Sequence, residues 1–339
     1  MAPIPDDEDP GLDLAALLAG VERDLLGRAP YLTRQEVSER SGVPVEVAEL
    51  MWHLLGFPRV EDDEVAFTDA DAQAIRYAVD LQRLGVLGAD SQAALVRTWG
   101  RSFARLAEWQ TGLLAEVVAA QVDPEKGVRE LSTDVLPRVE ALQSYVWRRH
   151  LASAANRLLA GADPAQPAHA MSVCFVDIVG YTTRSKSLEE SELVSWIEHF
   201  EDQTTGVVLD HGGRVIKTIG DEVLFVTDDP ATAVAAAREL VERGADEDDP
   251  FPSVRAGVAH GDVVSRLGDV YGETVNIAAR LTSLARPGTV LVDRGVHDLL
   301  CCDHGTHPAV EAGAGLELRR VRRASVKGYS RLEAWHVRA

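Results

Sequence analysis

The chain is short of cysteine, aromatic residues and positive charge, and it contains no long apolar run. Its three cysteines, Cys174 and the adjacent Cys301 and Cys302, form no disulfide framework, so a reducing, cytoplasmic setting is expected. No uninterrupted apolar stretch approaches the roughly 20 residues that a membrane-spanning helix requires. Residues 1–10 are acidic and proline-rich, the opposite of a secretory leader, and none is expected. Lysine and arginine total 34 against 54 aspartates and glutamates, a net charge of −20. That balance argues against nucleic acid or an anionic membrane as the main partner. What is present is ordinary for a water-soluble globular chain, with 46% hydrophobic and 26% charged residues in a length that admits two domains.

Residues 1–11 read as a disordered tail. Leu14, Leu17, Leu18, Val21 and Leu25 then recur at helical spacing. Thr33 followed by Glu36 predicts a capping box, opening a helix that Ser41-Gly42 ends. A second helix through Val47, Leu50, Met51 and Leu54 stops at Gly56 and Pro58. Helix, glycine turn and helix are similar to the helix-turn-helix of MerR-like regulators, so a DNA-binding regulator is one alternative. Residues 1–90, however, hold 19 acidic residues against 7 arginines and no lysine, a net of −12. A DNA reader needs a basic face, so nucleic acid is not expected here and a helical scaffold is. Further helices are predicted over 70–84, 91–122 and 135–159, the second with Trp99, Phe103, Leu106, Leu113, Leu114 and Val117 on one side. The stretch 161–168 is a Pro/Gly/Ala linker. Residues 12–160 therefore read as one all-α domain.

From residue 169 strands and helices alternate. A strand over 171–179 leads to a helix over 189–209 and a hairpin over 212–226. Next come an alanine-rich helix (231–243), a strand (253–259), an extended arm (262–271), a helix (274–285) and a strand (290–293). Two β-type segments, 316–321 and 332–337, follow. The order βαββαβ with additions predicts an α+β sandwich of ferredoxin-like kind over 169–339, with helices on one face. In that topology Asp177, at the end of Val173-Cys174-Phe175-Val176-Asp177, neighbours Asp221 at the tip of the hairpin. Two carboxylates on adjacent strand ends suit a pair of divalent cations and a polyphosphate.

Three blocks carry a resemblance: Phe175-Val176-Asp177-Ile178-Val179-Gly180-Tyr181-Thr182, Val215-Ile216-Lys217-Thr218-Ile219-Gly220-Asp221 and Asp269-Val270-Tyr271-Gly272-Glu273-Thr274-Val275-Asn276-Ile277-Ala278-Ala279-Arg280. They resemble the signature blocks of class III nucleotide cyclases, in order and spacing, over about half of the chain. The resemblance implies that Asp177, Asp221 and the Ile178 carbonyl hold two Mg²⁺ or Mn²⁺ ions. It implies that Lys217 and Asp269 select the purine. A donor-only lysine and an acceptor-only aspartate match N1 and N6 of adenine and mismatch guanine, so ATP is the expected substrate, with guanylyl cyclase activity as an alternative. Asn276 and Arg280, four apart on a helix, would orient the ribose and stabilise the transition state. The backbone of Gly180, Tyr181 and Thr182 would cradle phosphate oxygens, and Arg255 and Lys327 would hold the triphosphate.

In this family the metal aspartates of one subunit face the purine and transition-state residues of the other. The resemblance thus implies a homodimer with two shared sites, producing cyclic AMP and pyrophosphate. A non-catalytic nucleotide-binding regulator is a further alternative, disfavoured by the full set of Asp177, Asp221, Asn276 and Arg280. No histidine, His260 included, has a clear claim to be the proton acceptor. The helical half is similar to regulatory domains that precede the cyclase domain in some actinobacterial two-domain enzymes. That likeness implies control by pH or a small ligand, with 135–159 as the coupling element.

Overall fold

The computed structural model describes residues 20, 22–84, 89–119, 126–127, 130–161, 168–246, 248–302, 316–321 and 332–338. The chain divides into two units, Met1–Ala162 and Asp163–Ala339. The predicted tail, and all but the ends of the predicted linker, lie outside the described residues.

In the first unit, helix α1 (Arg34–Ser41) begins at Thr33 with both hydrogen bonds of the capping box and ends at Gly42 in the left-handed conformation. These are the signals read from the sequence. Helices α2 (Val45–Leu54) and α3 (Asp69–Arg83) pack with α1 around Leu32, Val37, Val43, Phe67 and Ile75. Helix α4 (Ala89–Ala119) lies beside α5 (Leu136–Gly161), joined by a Gln143 to Gln110 hydrogen bond of 3.2 Å. Of the apolar stripe expected on α4, Trp99 and Phe103 are exposed and Leu106 is half-buried, while the side chains of Leu113, Leu114 and Val117 lie outside those described; Trp109 on α4 and Leu142, Tyr145, Trp147 and Leu151 on α5 are exposed as well. Among the described residues no helix is long and apolar enough to cross a membrane.

The second unit is built on an antiparallel core. Its elements are β1 (Ala168–Ile178), α6 (Tyr181–Ser185), α7 (Glu190–Asp210), β2 (Arg214–Ile219), β3 (Glu222–Thr227), α8 (Pro230–Arg243) and β4 (Val254–Arg266). The sheet order β2-β3-β1-β4 is the ferredoxin-like arrangement expected from the βαββαβ order. Beyond β4 follow β5 (Asp269–Tyr271), α9 (Glu273–Leu284), β6 (Val290–Val292), α10 (Arg294–Cys302), β7 (Glu317–Arg320) and β8 (Trp335–Arg338). The last strands extend the sheet as β4-β6-β8-β7. Helices α6 and α10 were not expected. The arm predicted over 262–271 is the continuation of β4 to Arg266, turned at Leu267-Gly268 into β5.

Strand periodicity divides the core in two. Cys174, Val176, Ile178, Val223, Phe225, Ala256 and Val258 face α7 and α8, the two core helices, on one side. Val173, Phe175, Leu224, Val226 and Ala259 face the other side, which α9 covers through Val275, Ile277 and Ala278. Helix α9 approaches closely because residue 257 has no side chain. A Cβ there would lie 2.3 Å from the Thr282 nitrogen and 2.6 Å from the Ala278 oxygen, both backbone atoms. Thr282 also fastens α9 to β1, its hydroxyl donating to the Phe175 carbonyl at 3.3 Å. Gly257→Ala should therefore push α9 off the sheet and cost about 1–3 kcal/mol of stability, read as a lower urea midpoint at unchanged m-value.

Candidate active site

The register of three strands makes the first half of the site. Asp177 on β1 lies opposite Glu222 on β3 and opposite Arg255 on β4. All three occupy alternate positions that point to the α9 side of the sheet. Arg255 donates from Nε at 2.7 Å and from Nη2 at 2.6 Å, both to the single oxygen Oδ2 of Asp177. Its Nη1 reaches the carbonyl of Ser283, near the end of α9, at 3.5 Å. Asp221 enters through the β2–β3 hairpin, whose two-residue turn places Gly220 at φ 67°. Glycine first in such a turn suits the twist of the flanking strands. The Ile178 N–H donates to the Asp221 carbonyl at 3.1 Å, holding the tip against the end of β1 as the topology predicted.

The charges of this cluster are unbalanced. Burial, then the neighbouring negative charge of Asp177, raises the Asp221 carboxyl above its usual range, and Arg255 offsets only part of this. Glu222 is pushed up to about 7 by burial and by the charges of Asp177 and Asp221. Three carboxylates thus share one guanidinium. Glu222 is the residue that the sequence reading missed. The signal available was alternation from Glu222 to Leu224 and Val226 along β3, which puts it on one face with the inner residues. Only the register with β1 shows that it meets Asp177.

The residues expected to read the purine and to stabilise the transition state lie on β2, β5 and α9. Lys217 Nζ donates to Asp269 Oδ2 at 2.5 Å, bringing together the two residues expected to read the purine. Burial acts to raise the Asp269 carboxyl, but hydrogen bonds from Lys217 and the Val270 N–H outweigh it and hold the carboxyl below its ordinary value. Asn276 and Arg280 sit one turn apart on α9, both exposed. Gly180, at φ 74°, turns β1 into α6, and its carbonyl accepts from the amides of Thr183 and Arg184. A helix start leaves its earlier amides, here those of Tyr181 and Thr182, without an intrahelical acceptor. The Tyr181 ring stacks on Trp196 at 6.1 Å. Lys327 lies outside the described residues. His260 belongs to the opposite face of β4, where its Nδ1 is 2.9 Å from the Ser172 hydroxyl, so it does not face Asp177.

The donor set at Asp177 and Asp221 fits hard divalent cations. It offers carboxylate oxygens carrying surplus negative charge, and the raised Asp221 carboxyl marks a place that a cation would stabilise. No group of three or more His, Cys, Asp or Glu side chains suited to a metal converges among the described residues. Oxygens beyond the two aspartates would have to come from backbone and nucleotide.

Known proteins are similar to this chain in sequence. Residues 164–339 match the family described as the adenylate and guanylate cyclase catalytic domain. An adenylate cyclase of Streptomyces coelicolor is 38% identical over 297 residues, covering 86% of this chain and 77% of that protein. An adenylate cyclase of Glutamicibacter nicotianae is 35% identical over 330 residues, 86% of this chain and 82% of that protein. A pH-sensitive adenylate cyclase of Mycobacterium tuberculosis is 33% identical over 286 residues, 80% of this chain and 70% of that protein. With this strand order and with likenesses that span both units, the chain belongs to the adenylate and guanylate cyclase family.

Proposed function

We propose that the protein is an adenylyl cyclase, converting ATP to 3′,5′-cyclic AMP and pyrophosphate. The observation that carries the reading is the Lys217–Asp269 pair, an ammonium and a carboxylate set 2.5 Å apart on two different strands. A donor beside an acceptor matches the N1 and N6 edge of adenine and opposes that of guanine. The relatives named adenylate cyclase, at 33–38% identity, support the same choice.

Asp177, Asp221 and the Ile178 carbonyl are assigned to two Mg²⁺ or Mn²⁺ ions, which when bound supply Lewis-acid activation and neutralise phosphate charge. Arg280 is assigned to stabilise charge growing on the α-phosphate and the leaving pyrophosphate, because a guanidinium stays charged and grips two oxygens at once. Asn276, one turn earlier, orients the ribose. The amides around Gly180, Tyr181 and Thr182 receive phosphate oxygens, and Arg255 with Lys327 holds the triphosphate chain.

Lys217 and Asp221 share one hairpin yet are assigned to different sites. The aspartates of one chain work with the Lys217, Asp269, Asn276 and Arg280 of a second copy. Since each chain keeps both sets, a head-to-tail homodimer has two equivalent sites.

Purified protein supplied with Mn²⁺ and either ATP or GTP, with products identified by mass, tests the activity. Cyclic AMP from ATP is the expected product. No cyclic nucleotide from either substrate would leave a nucleotide-binding regulator as the reading.

The unit Met1–Ala162 is assigned a regulatory role, with α5 as the coupling element. Support comes from the position of α5 in the chain, ending at Gly161 shortly before β1, and from the relative named pH-sensitive. Deletion of residues 1–160 should change the activity or its pH profile. Activity unchanged under all conditions would contradict that role.

A further inference from the structure

Arg255 is assigned above to the triphosphate, yet in this structure its guanidinium is committed elsewhere. Two of its nitrogens converge on Asp177 Oδ2, at 2.7 and 2.6 Å, and the third reaches the Ser283 carbonyl. The ion pair is well shielded, with the Asp177 side chain 14% and the Arg255 side chain 33% exposed. The guanidinium therefore stands where a metal ion is expected to act, as the counterion of Asp177.

We propose that Arg255 is a placeholder cation. It holds Asp177 while the site lacks metal, and it is released to the nucleotide's phosphates when a divalent ion takes the aspartate. The inference rests on the assignment of Asp177 to metal. The physical reason is charge. A divalent ion and a guanidinium cannot both be favoured at one carboxylate oxygen, and an incoming cation repels the arginine. The triphosphate that accompanies the metal offers the guanidinium a bidentate anion in exchange. Metal alone must compete with Arg255, whereas metal together with nucleotide gives Arg255 a new partner. The two ligands are thereby coupled, and each strengthens the binding of the other.

The test measures Mn²⁺ binding to the full chain by the electron paramagnetic resonance of free Mn²⁺, with and without 3′-deoxy-ATP, which cannot cyclise. Arg255→Met should bind Mn²⁺ alone about tenfold more tightly than the unaltered chain, and its gain in Mn²⁺ affinity on adding 3′-deoxy-ATP should shrink about tenfold. Arg255→Lys keeps the charge without the two-nitrogen grip and should lie between the two. It also serves as the variant to read if Arg255→Met does not fold. Mn²⁺ affinity unchanged or weakened in the folded variant would overturn the placeholder role and leave Arg255 a fixed support. Asp177→Asn separates this from the metal assignment itself: it should lose Mn²⁺ binding, and if it binds as the unaltered chain does, the assignment of Asp177 to metal fails instead.

Discussion

Exchanging the two charges of the purine pair, as Lys217→Glu with Asp269→Lys, should turn the protein's preference from ATP towards GTP. The exchange keeps an ion pair between β2 and β5, so the elements that carry it keep their contact. What changes is the sign of the hydrogen-bonding pattern. A carboxylate at 217 accepts from guanine N1–H, and an ammonium at 269 donates to O6, while adenine meets an acceptor at N1 and a donor at N6. Sites built to hydrogen-bond a substrate reject a mispaired one by roughly 10⁴–10⁵ when fully buried. Here the side chains are 41% and 25% exposed. Water relieves part of the mismatch, and a change of about 10²–10³ in the ratio of kcat/KM values for ATP and GTP is expected. Both substrates falling equally, with the ratio preserved, would mean that the pair supports the fold and does not read the base.

The expected effect is larger still for single truncations. Asp221→Ala and Lys217→Ala should each leave less than about a thousandth of the activity, the first by loss of a metal ligand and the second by loss of the base contact and its positioning. Their stability should change little. Lys217 is an exposed strand residue. Asp221 is partly buried, and its carboxyl is raised by that burial and by Asp177, so removing it relieves repulsion. Melting temperatures near that of the unaltered chain, alongside lost turnover, would separate a functional role from a structural one.

Much of this was legible in the residues because the relevant signals are local. The capping box at Thr33 and Glu36, the Gly220 turn and the four-residue spacing of Asn276 and Arg280 each need only a few neighbours to be read. The βαββαβ order was enough to place Asp177 beside Asp221. Register across strands was not legible, and that is where the reading fell short. Glu222 looked like part of a turn until β3 was aligned with β1, and nothing in the residues alone showed that β4 sets Arg255 opposite Asp177. The helical half failed in the other direction. Its periodicity identified α4 and α5, but period alone does not say whether a stripe is covered, and Phe103, Trp109, Leu142 and Trp147 are exposed. Gly257 had no signal of its own, since a glycine in a strand declares its purpose only when the packed helix is seen.

The central claim is that each active site draws on two copies of the chain, and one measurement tests it most directly. Asp221→Ala and Lys217→Ala chains carrying different affinity tags are co-expressed, the mixed dimer is purified through both tags, and cyclic AMP formation is measured. In a shared-site dimer one site of the mixed pair collects both defects and the other is intact, so activity should return to about half that of the unaltered dimer. Mixed dimers as inactive as either variant alone would contradict the account and place Lys217 and Asp221 in the same site.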